Sequence, residues 1–226
     1  MPGPLFASLT GLPIVAMTLT IPYSGIWHAD VRLDRAIDIA GPQLLTLSDF
    51  VGVCAVVRAV DFTGARSVRL VGGTGGWRTY VPPMQYQSPM GVPVQMIAAD
   101  AAALVQELPP IIGPTVSPVT GTSFVRQGGA ASLVLQSLFA DGWWMNPLGV
   151  VQVTPRLPLP IVLPFDLLDL KGSSGIYIVA SRGDIILPWV PGGLFLGPTM
   201  TSPGVVNRVT HKLDGGKLRT EILTWP

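Results

Sequence analysis

Charge is the scarcest thing in this sequence. Only 12% of the 226 residues are Asp, Glu, Lys or Arg, against roughly 25% in an ordinary soluble domain. Fourteen basic and thirteen acidic side chains leave a formal net charge of +1. That balance gives no electrostatic footprint for nucleic acid as a primary ligand. Cysteine is nearly absent: Cys54 stands alone, which excludes an internal disulfide framework and fits synthesis in a reducing cytoplasm. Its place in the apolar run 51–57 reads as a buried, inert thiol.

Groups that do chemistry are equally thin. His28 and His211 are the two histidines, and Glu107 and Glu221 the two glutamates. A zinc site wants three or four ligands from His, Cys, Asp and Glu, and no such cluster is visible, so no metal is expected. A hydrolase triad needs a Ser on a G-x-S-x-G elbow; Gly172-Ser173-Ser174-Gly175 has the wrong spacing. Neither glutamate sits beside an aspartate partner for paired-carboxylate chemistry. The loop Gly72-Gly73-Thr74-Gly75-Gly76 is followed by Trp77-Arg78, not by the Lys-Ser/Thr of a phosphate cradle, and no helix pattern opens after it. It reads as a tight turn. No catalytic residue, cofactor-binding residue or metal ligand is therefore assigned, and both histidines are read as surface or hydrogen-bonded structural groups.

What is present is apolar residue, glycine and proline. Hydrophobic residues make up 48% and the mean hydropathy is +0.50, with 26 Gly and 23 Pro. Such a mixture argues against a helical bundle and for short strands joined by turns. The long uncharged runs 1–29, 79–99, 108–125 and 185–207 each hold several prolines, so none reads as a membrane-spanning helix. The first has no basic leader region and does not read as a signal peptide. Few charges and much apolar surface, without a membrane, predict that part of the surface is covered by other protein.

Along the chain, residues 1–13 show no period and read as an arm reaching to a neighbour. Residues 16–21 read as a strand. Trp27, Ala29, Val31 and Leu33 alternate with His28, Asp30, Arg32 and Asp34, the clearest period-2 pattern present. Residues 50–60 and 67–71 read as a hairpin. A tyrosine-bearing, proline-flanked loop follows, then a helix over 94–108 with Ile97, Ala101, Leu104, Val105 and Leu108 on one face, stopped by Pro109-Pro110.

Residues 123–156 carry three signals in order. A short extended piece ends at Gly128-Gly129. A helix over 130–140 has Ala131, Val134, Leu135, Leu138 and Phe139 at helical spacing. A hairpin follows, from Trp143-Trp144-Met145 to 150–153 across Asn146-Pro147-Leu148-Gly149. In the last third, 157–163 reads as an edge or irregular strand and 166–171 as a turn of helix. Residues 176–180 and 185–190 read as strands, and 205–213 with 217–225 as a hairpin across Asp214-Gly215-Gly216. The six tryptophans are scattered near strand ends, as core or interface anchors rather than a stacking platform.

This order of pieces resembles the central tail-hub family of tailed bacteriophages, the late-control-protein-D-like baseplate hubs. Three stretches carry the resemblance. Val68-Arg69-Leu70-Val71 through Gly76-Trp77, with Tyr86 after it, looks like the exit from a first barrel. Phe124-Val125-Arg126, Gly129-Ala130-Ala131, Trp143-Trp144 and 149–156 look like the helix-hairpin element of an insert. Val209-Thr210-His211-Lys212-Leu213-Asp214-Gly215-Gly216, running on to Ile222, is similar to the terminal hairpin. The resemblance implies a mainly β chain in which two small antiparallel β-barrels flank a helix-and-hairpin domain: 1–76, 77–156 and 157–226, with strands shared between barrels.

It further implies a non-enzymatic virion protein made in the host cytoplasm and placed at the tail tip or baseplate. Such a protein forms a homotrimeric ring that joins a sixfold tail tube to a threefold tip. Its implied partners are a tail tube or distal tail protein, a tip, spike or fibre protein, and the tape measure protein, with DNA only passing through the lumen. The chain is short for that family and poorer in charge. Two other classes stay open from the residues: a receptor- or carbohydrate-binding β module of a virion tip, and a small peptidoglycan hydrolase.

Overall fold

A computed structural model of the chain describes residues 6–62, 64–162, 164–171, 175–182, 185–198 and 200–225. The fold is mainly β, and its central strand is β2 (Leu12–Pro22). Ahead of it, β1 (Ala7–Leu9) folds back through Thr10 and Gly11, both at positive φ, the backbone of a two-residue hairpin. Behind it come β3 (His28–Leu33), β4 (Pro42–Leu47), β5 (Phe50–Phe62) and β6 (Ala65–Gly72). These six strands pair in the order β1-β4-β5-β6-β3-β2, and the β1–β2 pairing closes the ring. Closure removes strand edges that would otherwise invite another chain. Residues 7–9, expected in an arm, are instead the closing strand; residues 1–5 lie outside the described residues.

The alternation expected in β3 is borne out: Ala29, Val31 and Leu33 are buried while Asp30 and Arg32 face water. Leu9, Leu19, Leu45, Leu47 and Leu70 fill the barrel with them, and Trp27 meets Phe50 edge to face at 5.6 Å.

The other edge of β2 is used twice. Its start holds β1, while Ala16 to Pro22 pair with β17 (Gly204–Asp214) over seven register positions. From β17 the sheet continues through β18 (Lys217–Thr224), β15 (Ile176–Ser181) and β14 (Phe165–Lys171), while β16 (Leu194–Phe195) pairs with the start of β17. The β17–β18 turn is the expected one, with Gly215 and Gly216 at φ +54° and +74°. Two expectations fail here. Residues 166–171 are a strand rather than a turn of helix, because they pair with β15 around a bulge between Leu167 and Asp169. Residues 185–190 are turns rather than a strand: Asp49 accepts hydrogen bonds from the Ile186 and Leu187 N–H groups at 2.8 and 3.2 Å.

Between these parts lie the two α-helices of the described residues. α1 (Val94–Leu104) and α2 (Ala131–Phe139) pack together, and α1 buries Ile97, Ala98 and Ala101 while α2 buries Ala131, Val134 and Leu135. α1 ends four residues sooner than expected, leaving Leu104 and Leu108 exposed, as Gln106 turns the chain at φ +57°. The tyrosine-bearing loop is partly a strand, β8 (Met84–Gln87), paired with β10 (Ser123–Arg126). β7 (Tyr80–Val81) pairs with β11 (Gly129–Ala130). The hairpin of β12 (Trp144–Met145) and β13 (Val151–Val153) takes β9 (Ile111–Ile112) as a parallel third strand.

Candidate functional site

A largely buried guanidinium lies at the meeting of the barrel, the β12–β13 hairpin and the C-terminal strands. Arg156 follows β13 and donates Nε to Tyr23 O at 2.9 Å, Nη2 to Pro22 O at 3.1 Å and Nη1 to Pro191 O at 3.3 Å. Its guanidinium lies 4.3 Å above the Trp144 ring, whose Nε1 donates to Thr154 O. Burial lowers the Arg156 pKa to about 10, so the group stays charged at neutral pH. A planar fork spread over three carbonyls and a ring face is a fastener between distant segments. The hairpin itself locks on by backbone: Gly25 N–H donates to Trp143 O, Trp27 Nε1 to Asn146 O and Val53 N–H to Pro147 O.

Glycine makes that docking possible. A Cβ on Gly149 would stand 2.6 Å from the Gly73 Cα, and Gly149 sits at φ +82°. The glycine loop after β6 is thus a tight turn, as the sequence implied. Glu107 closes it by accepting the Gly76 N–H at 2.8 Å while itself buried.

A second buried group ties β8 and β10 to α1. Arg126, 2% exposed, donates Nη1 to Asp100 at 2.6 Å and to the Tyr86 hydroxyl at 2.9 Å; Tyr86 also donates to Asp100 at 2.5 Å. Burial, followed by the Asp100 hydrogen bond, pushes the Tyr86 pKa up to about 12. Both hydrogen bonds to Asp100 end on its Oδ2, and Arg126 Nε donates to Pro82 O at 3.2 Å, so the guanidinium ties the β8 segment to α1.

The remaining candidates are not brought together. His211 is fully buried in β17, its Nδ1 2.9 Å from Thr220 Oγ1 and its Nε2 without a partner among the described residues. His28 is half-buried on the outer barrel face, where burial and the Arg69 charge lower its pKa. Glu221 pairs with Lys212 at 2.6 Å. Cys54 is buried, and burial pushes its thiol up to about 12. Ser173 and Ser174 lie outside the described residues. Among the described residues no three of His, Cys, Asp and Glu are grouped to hold a metal ion. Trp27, Trp77, Trp143 and Trp189 are core side chains, and the exposed Trp225 stands edge-on to Tyr23.

Surface, rather than cleft, is the outstanding feature. The proline-rich segment after Arg156 exposes Leu157, Leu159 and Val162 at 71, 64 and 83%. It is held from below by Ile161 N–H to Leu194 O and Leu194 N–H to Leu159 O. No helix among the described residues is long and apolar enough to cross a membrane.

The geometry defines a class: a closed barrel whose sheet runs on through one shared strand into a second antiparallel unit. Solved structures share that fold along nearly the whole chain. The 43 kDa tail protein of prophage MuSo2 from Shewanella oneidensis matches with a TM-score of 0.64 at 10% identity, over 97% of this chain and 96% of that one. The tail protein from Neisseria meningitidis MC58 matches at 0.63 and 11% identity, over 97% and 96%. The E. coli c3393 protein matches at 0.63 and 13% identity, over 97% of this chain and 77% of that one. That protein is described as a component of the type VI secretion system with structural similarity to the T4 tail proteins gp27 and gp5. No family model matches the sequence, and no curated protein matches it. The expected kinship with phage tail proteins is borne out as a kinship of fold.

Proposed function

We propose that this chain is a structural component of a phage tail or a tail-like machine, and within it the central hub at the tail tip. In this reading residues 157–226 form a second barrel that shares the β2–β17 seam with the first, and 77–156 are the insert that braces them. Three copies close into a ring. The observation that carries the reading is the seven-position ladder from β2 to β17, which sets two β units side by side in one continuous sheet. Three chains of two such units present six units to a sixfold tube and three to a threefold tip. The ring would take a tube or distal tail protein on one side and a tip, spike or fibre protein on the other. Tape measure and DNA would pass through its lumen. No catalytic role is part of this reading, and the burial of four tryptophans speaks against a carbohydrate platform, which needs exposed rings.

Native mass spectrometry and electron microscopy of the purified chain test it. The expected outcome is a species of three times the 23.9 kDa chain mass with a central hole. A stable monomer at tens of micromolar would overturn it.

A further inference from the structure

The scarce charges of this chain are not scattered. Register pairs one row of outward side chains across six strands: Arg58, Arg69, Asp30, Thr18, Lys212 and Arg219. At an interstrand spacing of about 4.8 Å this row runs for about 24 Å. The row on one side adds Arg32, Asp214 and Lys217, and the row on the other adds His28 and Glu221, with Arg208 one row further out. An open groove of about 630 Å³ lies over the middle of them. Seven of the fourteen basic side chains stand on this face and three of the thirteen acidic ones, so the face carries +4 and the rest of the chain −3.

Pairing sharpens the asymmetry. Asp30 is held by both arms of Arg69 at 2.8 and 2.6 Å, and Glu221 by Lys212. Arg32, Arg58, Arg208 and Arg219 make no ion pair with any described residue. A guanidinium kept unpaired on a surface matches the geometry of phosphate oxygens. The face also lacks what a protein partner needs: no exposed aromatic, Leu, Ile or Met side chain stands on these rows, and interface hot spots are built on such anchors. Without rings there is no base stacking, and without a helix or ribbon to enter a groove there is no base reading.

We propose that this face is a contact surface for the phosphodiester backbone of nucleic acid, weak and indifferent to sequence. Interspersed carboxylates repel the polyanion locally, so the strand slides instead of being trapped. The bulk net charge of +1 hid the surface, because the compensating acids lie elsewhere. The proposal rests on the hub reading only for what would bring nucleic acid to this face.

Fluorescence anisotropy with the full chain and a labelled random-sequence duplex tests it, with poly-glutamate of equal charge as the competing polyanion. Expected are binding at low salt that prefers the duplex, and a log K against log salt slope of about −3 to −5, from roughly 0.9 per phosphate neutralised. The quadruple variant Arg32→Gln, Arg58→Gln, Arg208→Gln, Arg219→Gln should weaken binding about tenfold or more and flatten the slope. Arg35→Gln with Arg182→Gln, off this face, should leave both unchanged. Equal loss in both variants, preference for poly-glutamate, or no binding in low salt overturns the proposal. Mass measured on the same samples separates the two readings. A monomer that binds through these arginines sinks the ring and keeps the face. A ring whose affinity ignores them does the reverse.

Discussion

Single residues in this protein act mainly as fasteners, and Arg156 is the clearest case. Its three donors reach carbonyls of Pro22, Tyr23 and Pro191, segments that no local contact would bring together. Removing the fork strands three acceptors and the Trp144 ring face, each hydrogen bond to a charged group being worth about 1.5–3 kcal/mol. Arg156→Ala is expected to cost about 2–4 kcal/mol by urea unfolding. Arg156→Lys should restore little, since a point charge cannot serve three carbonyls in one plane. Recovery by lysine would mean that charge alone, not the fork, holds the junction.

His211 makes a different prediction, one of pH. Burial pushes its pKa down from 6.5 to about 3, so the folded chain keeps it neutral where the unfolded chain protonates it. The unfolded state then binds more protons between those values, and stability falls as pH drops through that window. The loss is of the order of 5 kcal/mol if the whole shift is expressed. Carboxylates held low by arginine, Asp30 and Asp166 among them, add a loss of the same sign, but only near and below their ordinary range. His211→Gln should therefore remove most of the slope between pH 6.5 and 4.5, leaving the smaller part that His28, also held low by burial, contributes there, and leave the acid limb below it. An unchanged slope in the variant would show that the histidine is not the titrating group.

At the scale of elements, docking depends on the back-to-back approach of Gly73 and Gly149. Gly149→Ala places a methyl 2.6 Å from a backbone carbon at a φ of +82°, which an L side chain tolerates poorly. The expected cost is about 2–4 kcal/mol, and the hairpin should exchange its amides faster than the barrel does. Uniform acceleration across the barrel strands would mean that the hairpin is not a separate cooperative piece.

Which elements could be read from sequence follows from where their partners lie. β3 was legible because its alternation is local, and the β17–β18 turn because Asp-Gly-Gly forces it. Phe165–Lys171 was not: the bulge beside Leu167 breaks the period of two and leaves Asp-Leu-Leu-Asp looking helical. The turns over 185–190 depend on Asp49, more than 130 residues away. The Arg156 fastener joins residues 133 and 134 positions apart, and the basic face exists only once six strands are in register. Local pattern carries local pairing; nonlocal hydrogen bonds and charge placement emerge only with the fold.

For the whole molecule the question is what becomes of the apolar surface. Leu157, Leu159 and Val162 point outward from a segment whose prolines deny it a strand ladder, while Ile161 packs inward against the core. The segment therefore cannot recruit a neighbour by edge pairing; it offers side chains alone, as a subunit contact does. Burying three such side chains at a contact is worth about 1.5–3 kcal/mol each, enough to shift an association constant by several orders of magnitude. The triple variant Leu157→Ser, Leu159→Ser, Val162→Ser should leave stability within about 0.5 kcal/mol per site, because these side chains touch water and not the core. Analytical ultracentrifugation should then find the variant monomeric at concentrations where the parent chain forms the proposed ring. A variant that unfolds would place these residues in the core after all, and one that assembles undiminished would free the segment of any role between subunits.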